Sequence, residues 1–163
     1  MKVDVALRSV QEAERELAHQ LLVVGERHAA EADVYHIAHK LAQQCANQIE
    51  LLSPFGEEYG VPDDAEGVGE PSSLGAWIRR KGSQMTARTS APGMLLLDDL
   101  RDLLLMAYDA EVAWLVLGQV GNAIRERPLL DAVCTGHEHA EMRWKWLRTK
   151  IKESCTQVLV ASD

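Results

Sequence analysis

Residues 94–125 read MLLLDDLRDLLLMAYDAEVAWLVLGQVGNAIR, and this stretch decides the fold class. It contains no proline and is rich in Leu and Ala, which favour helix, whereas β-branched and aromatic residues favour strand. At about 100° per residue, one face has Glu111 at its centre and otherwise holds Leu96, Leu100, Leu103, Leu104, Ala107, Trp114, Leu115 and Gly118. The sequence therefore predicts a long helix packed inside a helical protein.

This helix is apolar on its other sides as well. The apolar residues outside the main face are Leu95, Leu105, Met106, Val112, Ala113 and Val116. Because an all-round apolar helix is either fully surrounded or part of an interface, we expect a homodimer or a larger homo-oligomer.

Glycine and proline residues divide the rest of the chain. Gly25 ends a first apolar-periodic segment, Ser53-Pro54-Phe55-Gly56 ends a second, and Pro128 begins a fourth. The predicted helices cover about 4–24, 26–52, 94–125 and 128–158, and the connection 53–92 has a short extra helix near Ser73–Met85. The expected fold is all-α: one domain, residues 1–163, forming an antiparallel four-helix bundle with a long connection between helices 2 and 3.

The composition limits the possible partners. The chain has 163 residues, 47% of them hydrophobic, and a formal net charge of −8. An acidic surface repels phosphate backbones, so we expect no nucleic-acid partner. No uncharged apolar run reaches 18 residues and the first residues do not resemble a signal peptide, so we expect no membrane span. Cys45, Cys134 and Cys155 show no metal-binding spacing, which favours free thiols in a cytoplasmic protein.

Each long helix carries an ionisable residue on its apolar face. Glu14, Glu31 and Glu111 occupy the first three faces and His137 the fourth, with His28 and Glu141 beside the second and fourth. His36, His39 and His139 are predicted to point outward. An isolated carboxylate in a core costs several kcal/mol, so such groups are paired, protonated or bound to metal. Iron or manganese suits the oxygen-rich set Glu14, Glu31, Glu111, His137, His28 and Glu141. The first four of these residues lie nearer the same end of the bundle if the helices run up, down, up, down.

This pattern resembles the ferritin-like superfamily, whose four helices supply Glu, Glu-x-x-His, Glu and Glu-x-x-His. Glu14 and Glu111 match the lone glutamates, and Glu31 matches the glutamate of the second helix. The sequence departs from the pattern at Val34, where the family has His, and at His137-x-x-x-Glu141. The resemblance implies a second helix parallel to the third and an iron or manganese site with oxidative or iron-handling chemistry on an unspecified small molecule.

The alternative interpretation makes the inward acids core ion pairs, with Glu31 beside His28, and Glu141 or Glu111 beside His137. The sequence has no Gly-rich phosphate loop, no GxSxG motif and no Cys–His arrangement typical of a nucleophile. In this interpretation the protein is a non-catalytic helical bundle that acts through oligomerisation or partner docking.

Overall fold

The computed structural model describes residues 2–61 and 92–160, and within them the fold is all-α, as the sequence predicts. The described part holds the helices α1 (Val3–Arg27), α2 (Ala32–Tyr59), α3 (Pro92–Ile124) and α4 (Arg127–Leu159). α1 packs closely on α2, and α3 on α4, which together form a helical bundle. The extra helix predicted near Ser73–Met85 lies outside the described residues.

Two predicted helix ends are wrong because Gly25 and Pro54 lie inside helices rather than at their ends. Gly25 lies inside α1, where an added Cβ would be 3.0 Å from the Ala38 Cβ, so this glycine lets α2 approach closely. Pro54 lies inside α2, which continues to Tyr59. The α2 terminus is at Gly60, whose φ of 71° is the left-handed conformation that glycine adopts at helix ends. Pro128, by contrast, lies in the first turn of α4 as predicted.

The helices run up, down, down, up. His28, just after α1, contacts Asp99 near the start of α3, whereas Glu14 in the middle of α1 contacts Trp114 further along α3. Hence α1 and α3 are antiparallel, and α2, which is also antiparallel to α1, runs parallel to α3. The up, down, up, down order, on which a common end for the predicted ligands depends, is therefore not the order of this bundle.

Each helix has two neighbours in this arrangement. α1 lies between α2 and α3, and α4 lies between α3 and α2. The α2–α4 contact is the loosest of the four neighbouring contacts. α1 and α4 are thus diagonal to each other, and so are α2 and α3.

The α1 side of the core is formed by the residues that the apolar stripe of the first helix predicts. Val3, Leu7, Val10, Leu17 and Val24 of α1 are all buried, at the positions that the apolar stripe indicated. In α3 the stripe is rotated from its expected position: Met106 and Ala113 are buried while Leu115 is half-exposed. Because α3 is apolar on every side, its sequence pattern cannot define which side faces inward.

Candidate functional site

A buried ion pair joins the two diagonal helices α1 and α4. Glu14 is 0% exposed and Arg143 1% exposed, and Arg143 Nη2 donates to Glu14 Oε1. Trp114 Nε1 donates to the same oxygen at 2.7 Å, and Arg143 Nη1 donates to Gln44 Oε1 of α2 at 3.3 Å. Side chains from all four helices therefore meet at this one point.

Arg143 is the central residue that sequence reasoning missed. Its spacing along α4 indicates an inward position. The buried residues of this face recur at intervals of four, three and four residues: Gly136, Ala140, Arg143 and Leu147. A buried arginine at such a position requires an acid, and Glu14 supplies it.

Cys45 lies beside this ion pair on α2. Burial raises the pKa of its thiol strongly, the Glu14 carboxylate raises it further and the Arg143 guanidinium lowers it. A thiol with a raised pKa stays protonated and unreactive at neutral pH. Cys45 is therefore a packing residue of the core, whereas Cys134 is exposed.

A second buried cluster fixes one end of the bundle. His28 Nε2 lies 2.7 Å from Asp99 Oδ2, and Arg27 Nη1 donates to both Asp99 oxygens, at 2.7 and 2.9 Å. Asp99 is only 6% exposed. The cluster ties the end of α1 to the beginning of α3. The side-chain partner of His28 is thus Asp99 rather than Glu31.

The other predicted metal ligands lie apart from Glu14. Glu111 and His137 face each other between α3 and α4, with Glu111 Oε1 3.7 Å from His137 Nε2, and both are partly exposed. Glu141 is 42% exposed at its side chain and pairs with Lys145, one turn later. Lys145 also lowers the pKa of the Glu141 carboxyl.

Glu31 is not on a buried face. α2 begins at Ala32, so Glu31 precedes the helix, and it is exposed in the turn after α1. The expectation of an inward Glu31 is wrong because the second helix starts six residues later than Glu26, where the sequence placed it.

The six predicted ligands are distributed over separate parts of the bundle. Over residues 2–61 and 92–160, no group of three His, Cys, Asp or Glu side chains could hold a metal ion. Glu14, which lies deepest, is already paired with a guanidinium. This donor arrangement does not fit a shared iron or manganese ion.

His139 was predicted to point outward but reaches α2 instead. Gln48 is 3% exposed, and its side-chain nitrogen lies 2.7 Å from His139 Nδ1. His139 is partly buried at the loose contact between α2 and α4. It therefore lines the boundary of the cleft between these helices.

The outward side of α3 is apolar. Its middle exposes Leu105 by 36%, Val112 by 57%, Leu115 by 50% and Val116 by 45%; these four residues are called the α3 face below. By length and composition, the segment Gly93–Ile124 is also apolar enough to cross a membrane, and 44% of its most apolar window is buried in the bundle. Such a half-buried apolar helix is the kind of surface that a partner covers.

Asp109 is the one acidic residue exposed beside the α3 face, one helical turn from Leu105 and Val112. Burial raises the pKa of its carboxyl, and the nearby charge of Glu16 on α1 raises it further. The neutral form of this carboxyl is thus favoured by its surroundings.

No protein-family model, no curated protein and no solved structure matches this chain.

Proposed function

We propose that this chain is a non-catalytic helical bundle that acts by self-association, with the α3 face packing against the α3 face of a second copy. The observation that carries the proposal is the exposure of Leu105, Val112, Leu115 and Val116 on one side of α3. An apolar surface of this kind is covered by a partner in many soluble assemblies.

The charge of the chain favours a second copy at this face. The net charge is −8, so two copies repel each other over most of their acidic surfaces. From Leu105 to Gln119 the exposed residues of α3 are apolar or uncharged except for Asp109. A symmetric dimer uses the same patch twice, and an uncharged patch is self-complementary without paired charges.

The buried acids support a structural role for the interior. Glu14 is paired with Arg143, and Asp99 lies against Arg27 and His28, whereas the partly exposed Glu111 faces His137. Ion pairs of this kind hold helices in register, and they leave the inward carboxylates committed to protein partners. The alternative interpretation of the sequence, an oligomerising bundle with core ion pairs, is therefore the one that this geometry supports.

Ferritin-like membership and an iron or manganese site stay predictions. The parallel directions of α2 and α3 are those that the resemblance implies, but the six expected ligands do not meet. Metal analysis of protein purified from iron- and manganese-replete medium tests the site. About one equivalent per chain, lost in Glu111→Ala and kept in Glu57→Ala, would support it; we expect no stoichiometric metal.

Light scattering of the purified protein tests the self-association. We expect a mass of twice the 18.1 kDa chain for the wild type, and a mass near 18.1 kDa for Val112→Glu. Val5→Glu is the matched control, since Val5 is 54% exposed but lies on α1. A monomeric wild type at high concentration, or a dimer that survives Val112→Glu, contradicts the proposal.

A further inference from the structure

A groove lies between α2 and α4, where these two helices are most loosely packed. It has a volume of about 520 Å³. This size falls within the roughly 300–1,000 Å³ that small-molecule pockets occupy. Its walls carry Ile37 and Leu41 from α2 and Met142 and Trp146 from α4. Most of the surface that the groove offers to a ligand is therefore apolar.

The charged residue at this groove is a lysine. Lys40 lies on its α2 side, and no described residue forms an ion pair or hydrogen bond with the Lys40 ammonium. Among the residues that the structure describes, the lining contains no Asp or Glu, although the chain has 25 acidic residues against 17 Lys and Arg. The groove is thus a locally cationic, apolar surface on an acidic protein.

The end of the groove away from Ile37 is held in place by buried side chains. Gln44 at the groove accepts a hydrogen bond from Arg143, whose charge is neutralised by Glu14 behind it. His139 is fixed by the buried Gln48, and donation by Gln48 to Nδ1 leaves Nε2 as the protonated nitrogen of the neutral ring. Arg143 therefore adds no free charge to the groove, and Lys40 remains the cation that a ligand would meet.

We propose that this groove binds a small amphiphilic anion, a single-chain or aromatic carboxylate. Its apolar body lies against Leu41, Met142 and Trp146, and its carboxylate pairs with Lys40. Charge complementarity supports this occupant: among the described residues of the lining, the only full charge is positive, and most of the surface that the wall exposes is apolar. This site is distinct from the α3 face, because none of the four residues of the α3 face lines the groove.

Binding of three twelve-carbon probes tests the proposal. Dodecanoate, dodecanol and dodecyltrimethylammonium share one apolar chain and differ in the charge of the head group. Each is titrated below its micelle-forming range and followed by the intrinsic tryptophan fluorescence of the protein and by calorimetry. We expect dodecanoate to bind most tightly and the cationic probe least tightly. Equal affinities for the three probes, or no binding of dodecanoate, would overturn the proposal.

Two variants locate the binding. Lys40 is exposed, so Lys40→Ala should leave the fold intact. It should weaken dodecanoate binding by about 1.5- to fivefold, the range of an exposed charge pair, without changing the affinity for dodecanol. Lys152→Ala removes an exposed lysine of α4 outside the groove and should change the affinity for neither probe. Met142→Trp should fill the groove and abolish binding. Binding that survives Met142→Trp, or that responds equally to both lysine variants, contradicts this site.

Discussion

Arg143 and Glu14 form an ion pair through the centre of the bundle, between helices that are diagonal rather than adjacent. Gln44 and Trp114 complete the contact from the other two helices. The pair thereby specifies which faces of α1 and α4 point inward. Glu14 Oε2 and Arg143 Nε have no hydrogen-bond partner among the described residues, so the pair is buried but only partly satisfied. We therefore expect the pair to contribute more to the specificity of the fold than to its stability.

Loss of one partner of this pair should be costly. Glu14→Gln leaves the Arg143 guanidinium buried without a counter-charge, so we expect a loss of about 3–5 kcal/mol in the free energy of unfolding. Urea denaturation measures it. Glu141→Gln is the matched control, because the exposed Glu141–Lys145 pair should contribute little to stability.

Removal of both partners should be milder than removal of one. Glu14→Leu with Arg143→Met replaces the charges by apolar groups of similar volume, and we expect it to regain most of the stability that Glu14→Gln loses. The hydrogen bond of Trp114 is lost in the process, at a cost of about 1 kcal/mol. A double variant that is less stable than Glu14→Gln would show that the charges themselves stabilise the bundle.

The pH dependence of stability should carry the signature of Asp109. Its pKa is raised in the folded protein, first by burial and then by Glu16, so the folded state holds a proton that the unfolded chain releases. Stability should therefore fall as pH rises from the ordinary aspartate pKa of about 3.9 through the raised value. Asp109→Asn removes this loss. In thermal melts, the Asp109→Asn protein should have a higher melting temperature than the wild type at pH 7 and the same melting temperature at pH 3.

Glu16 provides the control for this interpretation. Glu16→Gln should remove only the smaller, charge-dependent part of the pH effect, because burial of Asp109 is the larger cause. If Glu16→Gln reproduces the full gain of Asp109→Asn, burial is not the dominant cause.

Gly136 should not tolerate a side chain. A Cβ at this position would lie 2.4 Å from the Trp114 ring, which is itself fully buried. We expect Gly136→Ala to destabilise the fold by about 1–3 kcal/mol, since overpacking outweighs the better helix propensity of alanine. Thr135→Ala, one residue earlier on the exposed side of α4, should change stability by less than about 0.5 kcal/mol. A Gly136→Ala protein as stable as the wild type would contradict the packing of Trp114.

Thiol reactivity should distinguish the three cysteines. Cys134 is exposed and Cys155 partly so, whereas Cys45 is buried with a raised pKa. We expect a thiol reagent to modify Cys134 fastest and to leave Cys45 unmodified until the protein unfolds. Rapid modification of Cys45 in the folded protein, identified by peptide mass, would show that the α1–α2 contact opens readily.

The sequence predicts helix existence well and helix ends less well. The apolar stripe of α1 gives its buried residues correctly because polar residues occupy its other sides. For α3 the same procedure places Leu115 inward and Met106 outward, since an all-apolar helix has no polar side to define its orientation. Pro54 and Gly25 lie inside helices because tertiary packing overrides local preference.

The buried acids were recognised in part. Glu14 is at the core as predicted, but its partner Arg143 comes from a sequence position 129 residues later. Such a contact depends on the helix directions, which periodicity within one helix does not contain. The Arg27, His28 and Asp99 cluster depends on the same crossover, and no local pattern indicates it. The sequence predicts a metal site where the structure has ion pairs because periodicity does not give the directions of α2 and α3.

Cross-linking through position 112 tests the self-association of the α3 face most directly. Cys134→Ser and Cys155→Ser leave only the buried Cys45, and Val112→Cys or Glu57→Cys then adds one exposed thiol. Glu57 lies on α2, diagonal to α3 in the bundle. With a short bis-maleimide, the Val112→Cys protein should give a covalent dimer at low protein concentration, and the Glu57→Cys protein should stay monomeric. Equal cross-linking of the two proteins, or none at Val112→Cys, would contradict an α3-to-α3 interface.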